Sequence, residues 1–348
     1  MSDLPTINQE YLRKLLIELL QTPSPTGYTE DVILKVRHYL EELGFSPQIS
    51  PKGTLISTWN GDDSSQTRAL TAHVDTLGAM VKEIKGNGRI KLTPIGGYAW
   101  NTIEGEGCTI FTSKGTVRGS ILLNKASGHI YGEAVGKSER DESTLEVRLD
   151  ELSNSKDETL ALGVKIGDFA AFDPRVETGP AGFIRSRHLD DKAGVACILA
   201  AIQAMRDAGK NPAQTTTIHI SNYEEVGHGA ASGFPKDLHD LIAVDMAVVG
   251  EGQESDEHHV TICVKDRGGP YHHGFNQQLR HLAESHGIPY KVDIYPYYGS
   301  DGEAYWRAGG DVRVALIGPG IDASHNYERT HLDALIATTQ LICAYLLT

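Results

Sequence analysis

Two amphipathic stripes open the chain. Leu12, Leu15, Leu16, Leu19 and Leu20 recur at helical spacing, the stretch 23–27 (PSPTG) interrupts them, and Val32, Ile33, Val36, Leu40 and Leu43 renew the pattern until Gly44. Strand-like runs follow near 54–60 and 68–74. From about residue 80 to 173 the rhythm changes to short β-rich runs, 89–93, 116–123 and 160–172, separated by glycine-rich turns and without a long helical stripe. The polar, charge-dense stretch 137–156 reads as an exposed loop there. After Gly182 helices and strands alternate. Ala193, Val195, Ala196, Ile198, Leu199, Ile202 and Met205 mark a helix ending at Gly209; strands are predicted over 216–223, 241–249 and 312–317, and helices over 277–286 and 332–347. That alternation predicts an α/β fold, a mostly parallel sheet flanked by helices, with a small β-barrel domain inserted.

A chain of 348 residues is long for one domain. The reading is a discontinuous catalytic domain, 1–78 plus 182–348, interrupted by a β-rich domain over 79–181. The formal net charge of -14 argues against nucleic acid as a partner, because neutralising phosphates needs clustered Lys and Arg. No run approaches 18 apolar residues and the first residues lack an apolar signal core, so no membrane partner and a cytoplasmic location are expected. Cys108, Cys197, Cys263 and Cys343 sit in separate apolar stretches, as buried free thiols rather than a disulfide or a thiolate metal site.

Five segments bring acids or imidazoles to places where strands end or helices begin. The run 71–76 (TAHVDT) leads a hydrophobic strand into a His-x-Asp pair, His73 and Asp75, in which the acid can fix the imidazole tautomer. Asp190 and Asp191 precede a helix, where they suit either an anion-favouring terminus or a cap. Glu224 and Glu225 are placed at the end of a strand, whose alternation lets neighbouring acids serve different roles. Asp245 interrupts the apolar run LIAVDMAVV, and a buried carboxylate there needs a cation or several donors. His325 follows the loop around Gly318 and Gly320, with His331 close enough to compete for the same role. Carboxylates for two metals, one His for each and a separate base make up a two-metal hydrolase site, and the carboxyl edge of an α/β sheet can gather them. The Gly-x-Ser-x-Gly elbow, the P-loop and the His-Glu-x-x-His helix are all missing.

With these segments in order, together with the PSPTG opening and the run 166–175 (IGDFAAFDPR), the sequence resembles the glutamyl and deblocking aminopeptidase family, dinuclear zinc or cobalt metallopeptidases of the tetrahedral type. Some proteins of that family carry an endoglucanase label. The resemblance implies that His73, Asp190 and Asp245 bind one metal and Asp190, Glu225 and His325 the other, with Asp190 bridging. It implies Glu224 as the catalytic base and Asp75 as support for His73. It further implies two divalent ions per subunit, Zn or Co with Mn admitted, short peptides as substrates, and a homo-oligomer, dimer-based or a tetrahedral dodecamer, built through the insert. The run Ser300 to Gly302 resembles a family loop near the substrate, but the Tyr-rich segment around it, 295–306 (YPYYGSDGEAYW), departs from the family pattern and leaves side-chain preference open. The alternative is a dinuclear deacylase or carboxypeptidase acting on N-acylated molecules; a glycosidase is a more distant one, since two carboxylates would leave His73 and His325 unemployed.

Overall fold

The computed structural model describes residues 4–348. The two opening stripes form helices Gln9–Leu20 and Glu30–Glu42, each burying its apolar face. Four strands at the centre of the main sheet, Gln214–Ser221, Asp63–His73, Leu238–Val244 and Arg313–Asp322, run parallel. Their register aligns Ser221 with His73 and Val244 with Ile317, so their carboxyl ends share one edge. The flanks are antiparallel: Leu55–Trp59 on one side, Glu328–His331 and Phe183–Ser186 on the other. The sheet is therefore mixed, parallel only through its core. Helix Leu189–Asp207 is buried on nearly every side, as its run of apolar residues requires, and packs on helix Leu332–Leu346.

The chain divides into two compact units, residues 4–75 with Arg175–Thr348, and Thr76–Pro174. The second is a closed six-stranded antiparallel barrel in the order Gly78–Ile84, Ile90–Ile95, Leu145–Leu149, Gly115–Leu123, Gly107–Thr112, Phe169–Phe172. Its own core contains Val81, Ile90, Ile110, Ile121, Val147 and Phe172. Residues 177–178, expected inside the insert, instead form a strand paired with Phe183–Ser186 of the main sheet.

The barrel departs from the sequence reading in two places. The charge-dense stretch is not all loop, because Leu145–Leu149 is a barrel strand in which Glu146 is buried and paired with Lys85, at 2.7 Å, and with Arg89. Charge hid the strand; two cations make its burial possible. The expected strand over 160–172 splits, with residues Lys156–Ala161 helical and only Phe169–Phe172 extended. Ser155 caps that short helix by accepting from Glu158 N at 3.3 Å. All four cysteines are free and buried. No described helix is long and apolar enough to cross a membrane.

Candidate metal centre

Each candidate side chain leaves the shared carboxyl edge or a loop beside it. His73 closes strand Asp63–His73 and is buried. Its Nδ1 lies 2.9 Å from the Asp75 carbonyl and 3.6 Å from the Asp75 carboxylate. A carbonyl only accepts, so Nδ1 carries the proton and Nε2 faces the acids. The backbone of Asp75, more than its carboxylate, thus sets the tautomer. The carboxylate has other partners, accepting from Thr26 Oγ1 at 2.7 Å, Glu224 N at 3.1 Å and Glu225 N at 3.3 Å.

The Glu pair does not sit in a strand. Strand Gln214–Ser221 has already ended, Tyr223 adopts φ 75°, and Glu224–Val226 is a 3-10 turn pinned by Asp75. The turn, rather than strand alternation, separates the two side chains. Glu224 Oε2 approaches His73 Nε2 at 3.7 Å, whereas Glu225 Oε2 approaches His325 Nε2 at 3.7 Å. Asp245 likewise falls in a break, between Leu238–Val244 and Ala247–Val249, with its N–H donating to Ile317 O at 2.9 Å.

Asp190 lies between the two imidazoles. Its Oδ1 is 3.1 Å from His73 Nε2 and its Oδ2 is 3.4 Å from His325 Nε2. Asp190 and Asp191 have non-helical dihedrals at the head of helix Leu189–Asp207 and are joined by a cis peptide bond. Asp191 turns inward, accepting from His73 N at 3.2 Å and Gly194 N at 3.1 Å. His325 sits on the loop before strand Glu328–His331, with φ 61°.

Two overlapping groups result: His73, Asp190 and Asp245 in one, and Asp190, Glu225 and His325 in the other, the candidate donor atoms of each lying within 4.8 Å of one another. Glu224 is beside both and belongs to neither. His331 is elsewhere, its Nε2 2.6 Å from Ala181 O and its Nδ1 accepting from Asp333 N at 3.1 Å, so it does not compete with His325.

Burial and mutual repulsion dominate the electrostatics of the centre. Burial, then the nearby Asp190, pushes Glu225 up to about 8 and Asp245 up to about 7. Burial also raises Glu224 well above its ordinary value, with Asp245, Asp301 and Glu225 adding to the rise. Asp190 goes the other way: burial would raise it, but the adjacent imidazoles of His325 and His73 hold it well below the usual carboxylate range. Crowded, dehydrated carboxylates with two imidazoles and no thiolate are a donor set for borderline divalent ions, so these residues fit a pair of metals.

The profile of the M42 glutamyl aminopeptidase family matches residues 53–341. The chain belongs to this family. It is 49% identical to the Bacillus subtilis (strain 168) protein named Putative aminopeptidase YhfE, over 95% of this chain and 96% of that one. Its fold matches an aminopeptidase from the archaeon Desulfurococcus kamchatkensis at TM-score 0.87 with 21% identity, covering 97% of this chain and 95% of the other. It also matches the TET1 peptidase of Pyrococcus horikoshii, which assembles into a tetrahedron or a large octahedral shell, at TM-score 0.85 with 22% identity over 97% and 99% of the two chains. As a member of the M42 family the protein is a peptidase of the aminopeptidase type.

Two buried acids of the centre escaped the sequence reading. Glu328 accepts from Asp190 N and from His325 N, each at 3.2 Å, tying the two together through their backbones. Its signal, an acid in a short strand three residues after His325, is weak. Asp301 accepts from Ser221 Oγ, and from Ala230 N at 2.7 Å, bracing the segment after the Glu pair. It lies in the run 300–302 that resembles a substrate-side loop, but nothing in the sequence assigned Asp301 a role of its own, and it stands in the first turn of helix Asp301–Arg307.

Proposed function

We propose that the protein is a metal-dependent aminopeptidase that removes the N-terminal residue of short peptides at a dinuclear centre. One observation carries this reading: in an M42 chain, two triads of donors, the first of them fully buried, share Asp190, while Glu224 stands 3.7 Å from His73 and belongs to neither. His73, Asp190 and Asp245 would hold one ion and Asp190, Glu225 and His325 the second, Zn or Co by donor type, with Mn a weaker match. Bound there, the ions supply Lewis acidity, lowering the pKa of a shared water and polarising the peptide carbonyl.

The chain's own groups do the rest. Glu224 would hold the proton taken from the attacking water and return it to the leaving amine, a role suited to a carboxylate that stands 3.7 Å from His73 and outside both donor groups. Asp75 fixes Glu224 and Glu225 through their N–H groups and His73 through its carbonyl, so one residue positions base and ligands together. The acidic surroundings favour a substrate's free α-ammonium over a blocked amide, which is what separates an aminopeptidase from a deacylase.

The barrel unit is the proposed oligomerisation module of a homo-oligomer, up to the tetrahedral dodecamer. Its support is an apolar surface: Ile130, Leu152 and Ile166 are 75%, 97% and 70% exposed, and Tyr131 and Leu160 are also exposed. A cytoplasmic peptide-trimming enzyme is the corresponding cellular role.

The deciding experiment incubates chelator-stripped protein with chromogenic aminoacyl substrates and their N-acetylated counterparts, with Zn, Co or Mn restored. Metal-dependent release from the free-amine set alone is expected. Release from the acetylated set alone would replace the aminopeptidase with a deacylase.

A further inference from the structure

A second cluster of imidazoles and carboxylate lies outside the catalytic residues. His258 belongs to a turn before strand Val260–Lys265, His331 ends strand Glu328–His331, and Asp333 is in the first turn of helix Leu332–Leu346. Asp333 Oδ2 is 3.2 Å from His258 Nδ1 and 3.1 Å from His331 Nδ1, and the two rings are 4.4 Å apart between centroids. The two Asp333 separations are close to the edge of about 3.4 Å between donors of a tetrahedral ion with bonds of ~2.1 Å, and the candidate donor atoms of all three residues lie within 4.8 Å of one another.

The surroundings orient the donors as outer partners of a metal ligand do. Ala181 O, an acceptor 2.6 Å from His331 Nε2, places that ring's proton on Nε2 and leaves the Nδ1 lone pair turned toward Asp333. Phe183 packs edge-on against both rings, at 4.8 Å from His331 and 5.8 Å from His258. Beside them Glu257 spends one carboxylate oxygen on Arg329, at 2.8 Å, and keeps the other buried without a hydrogen-bonding partner. That oxygen is a further acceptor beside the cluster, although the Glu257 charge itself is paired with Arg329. The competing interactions are the positive end of the helix and the Asp333 N–H that now donates to His331 Nδ1, which an ion would displace.

We propose that His258, His331 and Asp333 form a third, structural site for a divalent transition ion such as zinc. The ion would clamp the turn of residues 256–259 to the junction of strand Glu328–His331 and helix Leu332–Leu346. Glu328, in that same strand, holds the backbones of Asp190 and His325, so the clamp would steady the loop that presents His325. The site takes no part in the reaction and stands whether or not the dinuclear reading does.

The test is metal stoichiometry on the full chain. Chelator-stripped wild type, His258→Ala, Asp333→Asn and His281→Ala, the last a distant surface control, are dialysed against limiting free zinc and analysed for bound metal per chain. Wild type and His281→Ala should each hold one more zinc than His258→Ala and Asp333→Asn, and His258→Ala should still hydrolyse aminoacyl substrates. Cobalt-loaded wild type minus His258→Ala should give the absorption of a low-coordinate Co(II) centre. Equal metal content in wild type and both site variants overturns the proposal, and so does a loss in His281→Ala of the same size. Failure of the dinuclear reading would instead lower the total in all four proteins and leave that difference of one intact.

Discussion

Asp75 shows how much of the proposed chemistry depends on one residue that need not touch a metal. Its carboxylate accepts from the N–H groups of Glu224 and Glu225, and its carbonyl fixes His73. In Asp75→Asn an amide NH2 must face one of those N–H donors, so the turn bearing base and ligand should shift. We expect metal affinity and kcat/KM to drop together by about 10–100-fold, the usual consequence of losing such an outer partner, as measured by metal titration and initial rates. Glu224→Gln separates the two properties: metal content should stay at the wild-type value while kcat falls by ~10²–10⁴-fold. Asp190→Ala should lose both, and normal turnover in either variant would falsify the assignment of that residue. The candidate residues of the centre were picked out in the sequence by their places at strand ends and helix starts, by the apolar run around Asp245, and by the resemblance to the family, which supplied their roles. Their supports were not. Glu328 and the carbonyl of Asp75 act through backbone groups, and nothing in a residue's identity announces where its carbonyl points.

The elements that carry those residues were legible where one period governed them. Helices Gln9–Leu20 and Leu189–Asp207 follow from apolar spacing alone. The strands broke the rule where function or charge intervened. Asp245 ends its strand because the chain turns its carboxylate toward the acids, and Leu145–Leu149 was masked by a glutamate whose cationic partners lie more than 50 residues away. Close packing sustains the break at Asp245: a Cβ on Gly318 would lie 1.7 Å from the Asp245 carbonyl oxygen. Gly318→Ala must force the two backbones apart. It should cost about 1–3 kcal/mol in denaturant unfolding, as overpacking does, and weaken metal binding as Asp245 moves; unchanged values of both would contradict this. Strand Gln214–Ser221 also carries a pH dependence. His219 is buried, its Nε2 3.0 Å from Ser232 O and its Nδ1 2.9 Å from Thr71 Oγ1, and burial lowers its pKa to about 4. The unfolded chain therefore takes up this proton first as pH falls. The stabilisation is complete above about 6.5, the unfolded value, and is lost as pH drops toward 4. Between pH 7 and 5 wild type should lose about 2 kcal/mol more than His219→Gln in urea unfolding; parallel losses would show that the fold does not lower the His219 pKa.

At the scale of the whole molecule the main question is why an enzyme with its centre in one compact unit carries a second. The barrel contributes no residue to either donor triad, and its core is self-contained. It does expose Ile130, Leu152 and Ile166, which in water would be an aggregation liability unless covered. Covering them with a second copy, as proposed, would account for both the insert and its exposed side chains. A tetrahedral dodecamer of a 37.8 kDa chain has a mass of about 450 kDa, readily told from a dimer by light scattering. Leu152→Glu combined with Ile166→Glu should collapse the assembly to smaller species, since charges in a desolvated interface are costly. Because the donor triads lie in the other unit, metal content per chain and hydrolysis of single-residue chromogenic substrates should survive the change. Substrate selection is where the assembly should matter. An enclosed particle admits peptides and excludes folded proteins, so the double variant should gain access to the N-termini of folded proteins that the wild type leaves intact. A wild type of dimer mass that the substitutions leave unchanged would confine the insert to a role within its own subunit.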